Sequence, residues 1–345
     1  MTKSESVTVC DIAKVAGVTQ TTVSSALHGT GRVSETTRQR IHRIATEMGY
    51  EPHLAAQLLR RRKTGQVGII VANHLSDPFE SPMHRRLIGH FISCCEKEGR
   101  AYHIGVHHHI DDIDGFRPPA QIAGRLVDGV ILFGDVGNPL RQWLASHRDF
   151  PWVSVMEPAD LCVLPAQDRG TNRIVEHLVA LGHRRIAHIA DNQQYMVHRQ
   201  CHNAFKNAVE SFGLDIVHDD WIKIVEDQNS LEGAQMMLNW VEQLLDRSVR
   251  PTAIIGAQRP AIYAALRRGL AIPGDISIVG WESPWVAQRD FFPSLTSIDV
   301  DPRLMFDAAW DLLMTKMAGK DPENPVRHIE ANLRIGQTTG APRKI

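Results

Sequence analysis

Long hydrophobic runs are missing from this 345-residue chain: no apolar stretch approaches the ~20 residues needed to span a bilayer. None follows the charged start Met1-Thr-Lys-Ser-Glu-Ser either, so the sequence predicts no secretory signal and no membrane anchor. Cysteine is scarce. The five present (Cys10, Cys94, Cys95, Cys162 and Cys201) are an odd number at no metal-ligand spacing, which argues for free thiols in a reducing, cytoplasmic compartment. The chain also lacks a nucleophile elbow, a P-loop, a dinucleotide glycine fingerprint and any metalloenzyme motif, so the expectation is a non-enzyme without a cofactor.

Net charge is nearly absent too, at −1, but the balance conceals an asymmetry. Residues 1–63 carry ten basic side chains against five acids, a surplus of +5 that leaves −6 for the remainder. A basic head on an acidic body suggests that one end meets a polyanion.

That head reads as three short helices. Thr8 and Asp11 resemble a capping box opening a helix over Val9–Ala16, with Val9, Ile12, Val15 and Ala16 on one face. Gly17 supplies the left-handed stop. Thr19 caps a second helix, Gln20–Leu27, whose inner face is Val23, Ala26 and Leu27. Ser34 caps a third, with Ile41, Ile44, Ala45 and Met48 at helical spacing and Gly49 at its end. Two short helices joined by a tight turn and backed by a third make the helix-turn-helix plan; a plain three-helix bundle is the alternative. The outer face of the second helix favours DNA. Gln20 and Thr21 are placed to meet base edges, while Thr8, Thr22 and Ser24 suit phosphates.

The run Val7 to Ser24, then Arg32-Val-Ser-Glu-Thr-Thr-Arg38 and Met48-Gly-Tyr50-Glu-Pro52, resembles the headpiece of the lactose/galactose repressor family, a signature of some fifty positions. The resemblance implies a hinge helix within residues 52–64, ordered on operator DNA, with Leu59 as the minor-groove wedge. Ser25, His28 and His53 depart from the family pattern at DNA-contacting positions. Ser25 stands where an arginine is usual, which removes about 1–3 kcal/mol of discrimination at one base pair. Arg60 and Arg61, with Arg62 and Lys63, would add phosphate contacts without sequence information.

From residue 66 short apolar runs alternate with amphipathic stretches. Strands are expected over 67–71, 101–106, 130–133, 152–155, 186–189, 222–225, 253–255 and 276–279, with helices such as 83–98, 171–181, 199–212, 231–245 and 261–268 between them. This alternation predicts an α/β class with doubly wound parallel sheets, which bind ligands at the carboxyl ends of their strands. The resemblance continues through Asp77-Pro-Phe79, 127–131, 176–187, 251–254 and 275–280, and implies a periplasmic-binding-protein-like core over 65–345 behind a headpiece over 1–51. It implies two sub-domains, about 65–165 with 293–325 and about 166–292 with 326–345, with crossings near Pro165, Pro293 and Pro325. It also places effector contacts at Asp77, Phe79, Met156, Arg199, Gln258, Arg259, Trp281 and Glu282. Met156 stands where an aspartate is usual, and Gln258-Arg259 replaces an Asn-Asp pair. Two arginines and a missing acid favour an effector bearing a carboxylate or phosphate over a neutral sugar.

One cluster stands apart: His103 with His107, His108 and His109, then Asp111, Asp112 and Asp114. Consecutive histidines at a strand end point in alternate directions, so a solvated loop is favoured over a metal site. A secreted solute receptor would account for the core alone but not for the DNA-binding head. The expectation is a dimeric repressor of a near-palindromic operator, controlled by a small-molecule effector.

Overall fold

The computed structural model describes residues 7–27, 31–50, 63–73, 82–108, 115–193, 195–216, 219–226, 230–281 and 294–343. The hinge helix and the calls on His28, His53, Leu59, Arg60, Arg61, Asp77, Phe79, Glu282 and Pro293 lie outside these residues. The chain divides into two compact units, 1–64 and 65–345.

The first unit holds helices α1 (Val9–Ala16), α2 (Gln20–Leu27) and α3 (Glu35–Glu47). Asp11 accepts hydrogen bonds from the Thr8 amide at 3.0 Å and from its hydroxyl at 2.6 Å, which holds its carboxyl below the usual carboxylate range. Gly17 ends α1 at φ +62°, a left-handed conformation that a Cβ would strain. The buried core is Ile12, Ala13, Ala16, Val23, Ala26, Ile41, Ile44 and Ala45. Val15, expected on the inner face, is 60 % exposed, and Ala13 is buried instead. The apolar stripe is centred between Ile12 and Ala13, and at about 100° per residue Val15 falls outside it. Arg40 reaches back to donate to the Ala16 carbonyl at 2.7 Å, tying α3 to the end of α1.

The second unit is built on two six-stranded sheets. The first contains β1 (Val67–Asn73), β2 (Tyr102–His108), β3 (Val130–Phe133), β4 (Trp152–Val155), β5 (Cys162–Ala166) and β11 (Val326–Glu330), in the order β11-β5-β4-β3-β1-β2, all parallel. The second contains β6 (Ile186–Ala190), β7 (Ile222–Ile224), β8 (Ala253–Ile255), β9 (Ser277–Gly280), β10 (Thr296–Asp299) and β12 (Asn332–Arg334), in the order β12-β10-β9-β8-β6-β7. Only β12 is antiparallel there. Each sheet thus repeats the doubly wound order 2-1-3-4-5 with one late strand added at its edge. Helices α4 (Pro82–Lys97), α5 (Ala120–Ala123), α6 (Asn138–Ser146), α7 (Gln167–Ala180), α8 (Met196–Phe212), α9 (Leu231–Leu245), α10 (Gln258–Arg267) and α11 (Pro302–Met317) connect them.

Sheet membership fixes where the chain crosses between sub-domains. The first crossing joins β5 to α7, next to Pro165. The other two come later than the prolines suggested. Strand β10 belongs to the second sheet while α11 packs on β3, β4 and β5, so the second crossing is at Val300–Asp301. Strand β11 pairs with β5 and β12 with β10, so the third is at Ala331. The determinant is strand pairing and the Asp301 cap of α11, whose carboxylate accepts from the Arg303 amide at 2.9 Å. Arg169 and Arg173 of α7 clasp Glu330 at 2.5 and 3.0 Å across this third crossing.

Candidate nucleic-acid interface and effector cleft

Helix α2 presents the polar face expected of a recognition helix. Gln20 and Thr21 are exposed, while Thr22, Ser24 and Ser25 are half-buried. The Thr19 hydroxyl accepts from the Thr22 amide at 3.2 Å and bonds the hydroxyls of Thr21 and Thr22 at 2.8 and 2.9 Å, so the first turn is pre-organised. The Gln20 side-chain amide lies 2.6 Å from the Cys10 thiol. Beside α2 lies a polar hollow of about 290 Å³, lined chiefly by Thr21, Thr22, Ser25, Arg32, Ser34 and Thr37. Ser34 caps α3 here, accepting from the Thr37 amide at 3.3 Å. Hydroxyl donors, a guanidinium and a helix N-terminus together form an environment for a phosphate oxygen. The sequence marked Ser34 as a cap and Arg32 as charge, both within the family-like run Arg32–Arg38; their convergence with α2 is tertiary.

In the second unit, the carboxyl ends of the two sheets face each other. Glu157, just beyond β4, accepts at 3.3 Å from the backbone N–H of Met196 at the start of α8, which follows β6 of the other sheet. Glu157 is 6 % exposed, and its pKa is raised by burial and by nearby Asp135, against the pull of Arg141 and Arg199. Arg141 of α6 lies 2.6 Å from Asp135 and 3.6 Å from Glu157. Three charged groups from the ends of β3 and β4 thus form one partly desolvated network beneath the other sub-domain.

Of the expected effector residues among those described, Met156, Gln258, Arg259 and Trp281 follow strand ends, while Arg199 lies in the first turn of α8. Met156 follows β4 with φ +80°, and Ala257 follows β8 with φ +47°. Left-handed backbone at non-glycine residues costs about 1–3 kcal/mol and concentrates at binding sites. Gly256 has φ +82°, and a Cβ there would come within 2.6 Å of the Ile189 side chain and 2.7 Å of its carbonyl. The Trp281 indole lies over the same glycine, and the Gln258 side chain covers the Gly280 backbone. Arg199 and Arg259 are exposed, and Arg199 donates to the Gln193 carbonyl at 2.8 Å. Asp135 and Arg141 were not singled out from sequence, although the rule that ligands bind beyond carboxyl ends of strands points to both. In the histidine-rich segment, His103 bonds Gln66 at 2.7 Å and His107 is buried edge-on to Phe116.

A helix-turn-helix headpiece, together with a core of two sheets whose strand ends meet, defines a DNA-binding transcriptional regulator. Residues 8–53 match the family described as bacterial regulatory proteins, lacI family, and residues 175–339 match a periplasmic binding protein-like domain. The chain is 29 % identical over 309 residues to the HTH-type transcriptional regulator DegA of Bacillus subtilis, covering 84 % of this chain and 86 % of that one. It is 25 % identical to the HTH-type transcriptional repressor PurR of Vibrio vulnificus, over 96 % of this chain and 98 % of that protein. Its fold matches a lac repressor dimer bound to operator and the anti-inducer ONPF, with TM-score 0.80 and 21 % identity over 98 % and 100 % of the two chains. Over both matched regions the chain is similar to the lacI family of bacterial regulatory proteins. Among the described residues, no helix is long and apolar enough to cross a membrane.

Proposed function

We propose that this protein is a cytoplasmic, non-enzymatic repressor that binds a near-palindromic operator as a homodimer and is controlled by a small molecule in its core. The observation that carries this reading is the pairing of an exposed polar recognition face on α2 with a cleft bridged by Glu157 and the Met196 amide. Gln20 and Thr21 read base edges; Thr22, Ser24, Ser25 and Arg32 hold phosphates, with Thr8 at the start of α1. Arg60 and Arg61 add backbone contacts, and Leu59 of the paired hinge helices bends the site at its centre. The lac repressor dimer on its operator supports the two-fold arrangement, since a symmetric dimer demands two half-sites.

The effector is a hydroxylated molecule carrying a carboxylate or phosphate. Asp135 and Glu157 accept from hydroxyls, the Trp281 indole covers an apolar ring face, and Arg199 with Arg259 meets the anion. Asp77, Phe79 and Glu282 complete this set by resemblance. Binding alters the angle between sub-domains and so the operator affinity.

Selection of bound genomic fragments, followed by titration of the recovered operator, tests the reading. Gln20→Ala should change base preference at one position per half-site, and Arg199→Ala should abolish the effector response while leaving operator affinity unchanged. No sequence-selective binding by the intact protein would overturn the proposal.

A further inference from the structure

Helices α4 and α11 lie together against the first sheet, joined by an aromatic seam. Phe91 meets Phe306 and Trp310 edge-on at 6.0 and 6.2 Å, and the Trp310 indole donates to Glu98 at 2.9 Å. On this seam three donors of different chemistry converge. His90 and Cys94 stand one turn apart on the same face of α4, and Asp307 approaches from α11. His90 Nε2 is 2.8 Å from Asp307 Oδ1, and one donor atom from each of the three residues lies within 4.8 Å of the others. The His90 ring stands edge-on to buried Phe306 at 5.2 Å, which fixes its plane.

We propose that His90, Cys94 and Asp307 form a site for one divalent transition-metal ion of the zinc class, clamping α4 to α11. An imidazole, a thiolate and a carboxylate are the donor set that zinc accepts, and an i, i+4 pair on a helix already supplies two adjacent tetrahedral positions. Tetrahedral bonds of about 2.0–2.3 Å place donor atoms roughly 3.4–3.7 Å apart, so the trio needs side-chain shifts of about 1 Å. Asp307 is 59 % exposed and His90 23 %, which leaves an entry path and room for water as the fourth ligand.

A hydrogen bond accounts for His90 and Asp307 as a pair, but not for the thiol beside them. The Cys94 sulfur is half-buried beside the Asp307 carboxylate, and a cation between them would be met by both donors. The surrounding charges are Lys97, Glu98, Asp301 and Arg303; the last is paired with Asp301 at 3.0 Å and also acts electrostatically on Asp307. Because α11 starts directly after the second crossing, a bound ion would anchor the helix that receives the chain from the other sub-domain.

The test is calorimetric titration of the full-length, reduced protein with Zn²⁺, alongside absorption spectra with Co²⁺. The expected result is one stoichiometric site with a thiolate-to-cobalt charge-transfer band. Even an outer-shell partner is worth about 10–100-fold in metal affinity, so His90→Ala, Cys94→Ser and Asp307→Asn should each weaken binding by at least about a hundredfold. Cys94→Ser should abolish the band, whereas Cys10→Ser should leave it intact. Unchanged far-ultraviolet circular dichroism and operator binding will show that the variants fold. Absence of a stoichiometric site, a cobalt complex without the thiolate band, or binding that survives all three substitutions would overturn the proposal.

Discussion

Replacing His188 by leucine should remove a definite part of the core's sensitivity to acid. His188 is 1 % exposed on β6, between β7 and β8, with Phe205 of α8 at 4.6 Å and His202 at 6.1 Å. Burial, reinforced by His202, lowers its pKa from 6.5 to about 3. The imidazole is therefore neutral in the fold at any pH where the fold persists, while in the unfolded chain it titrates normally. Above pH 6.5 neither state takes up the proton, and the folded state keeps its full advantage. As pH falls below that value the unfolded chain binds a proton that the fold refuses, so stability is lost, at about 1.4 kcal/mol per pH unit. The loss attributable to this one group is about 1.4 kcal/mol near pH 5.5 and about 2.7 kcal/mol near pH 4.5. His177, His183 and His202, whose pKa values burial also lowers, act alike in both proteins and cancel in the comparison. All seven tryptophans lie beyond residue 64, so urea unfolding followed by tryptophan fluorescence reads the core alone. The stability of His188→Leu minus that of the parent should widen by those amounts between about pH 7.5 and the two acid points. A difference that stays constant with pH would refute the assignment of a neutral, protected imidazole.

Arg141→Ala leaves Asp135 and buried Glu157 without their shared cation, and should abolish effector binding by calorimetry while operator affinity without effector is retained. Arg40→Met removes the bond to the Ala16 carbonyl, and should lower the protection of α1 amides in hydrogen exchange by about 1 kcal/mol, with the core amides unchanged.

The headpiece was legible because its signals are local. Thr8, Gly17, Thr19 and Ser34 mark helix ends within a turn of where they act, and α1 and α2 have the expected limits. Only Val15 misled, since a β-branched apolar residue at the edge of a stripe does not reveal which side of it is covered. The core strands with continuous apolar runs were equally readable. Strand β5 was not, because Pro165 sits within it and proline argues against a strand paired on both sides. Strands β11 and β12 are half-exposed at sheet edges and lack an apolar run. Their positions depend on partners far away in sequence, Glu330 on Ala166 and Leu333 on Ile298. The cleft shows the same division. Met156, Gln258, Arg259 and Trp281 follow strand ends, where the resemblance had pointed, but the Asp135–Arg141–Glu157 network joins three segments with no common period.

The three crossings also dictate an order of assembly. Each sheet takes its last strand from residues 326–334, so neither can be completed while that segment is still inside the ribosome. The headpiece, whose described core lies wholly within its own first fifty residues, can form during synthesis. The two lobes behind it are completed only once residues 326–334 have emerged, with β11 pairing to a strand made some 160 residues earlier. Slow, joint closure leaves both sheet edges open for a time. A stop codon before residue 326 would then yield a chain with a competent reading head and two lobes that aggregate.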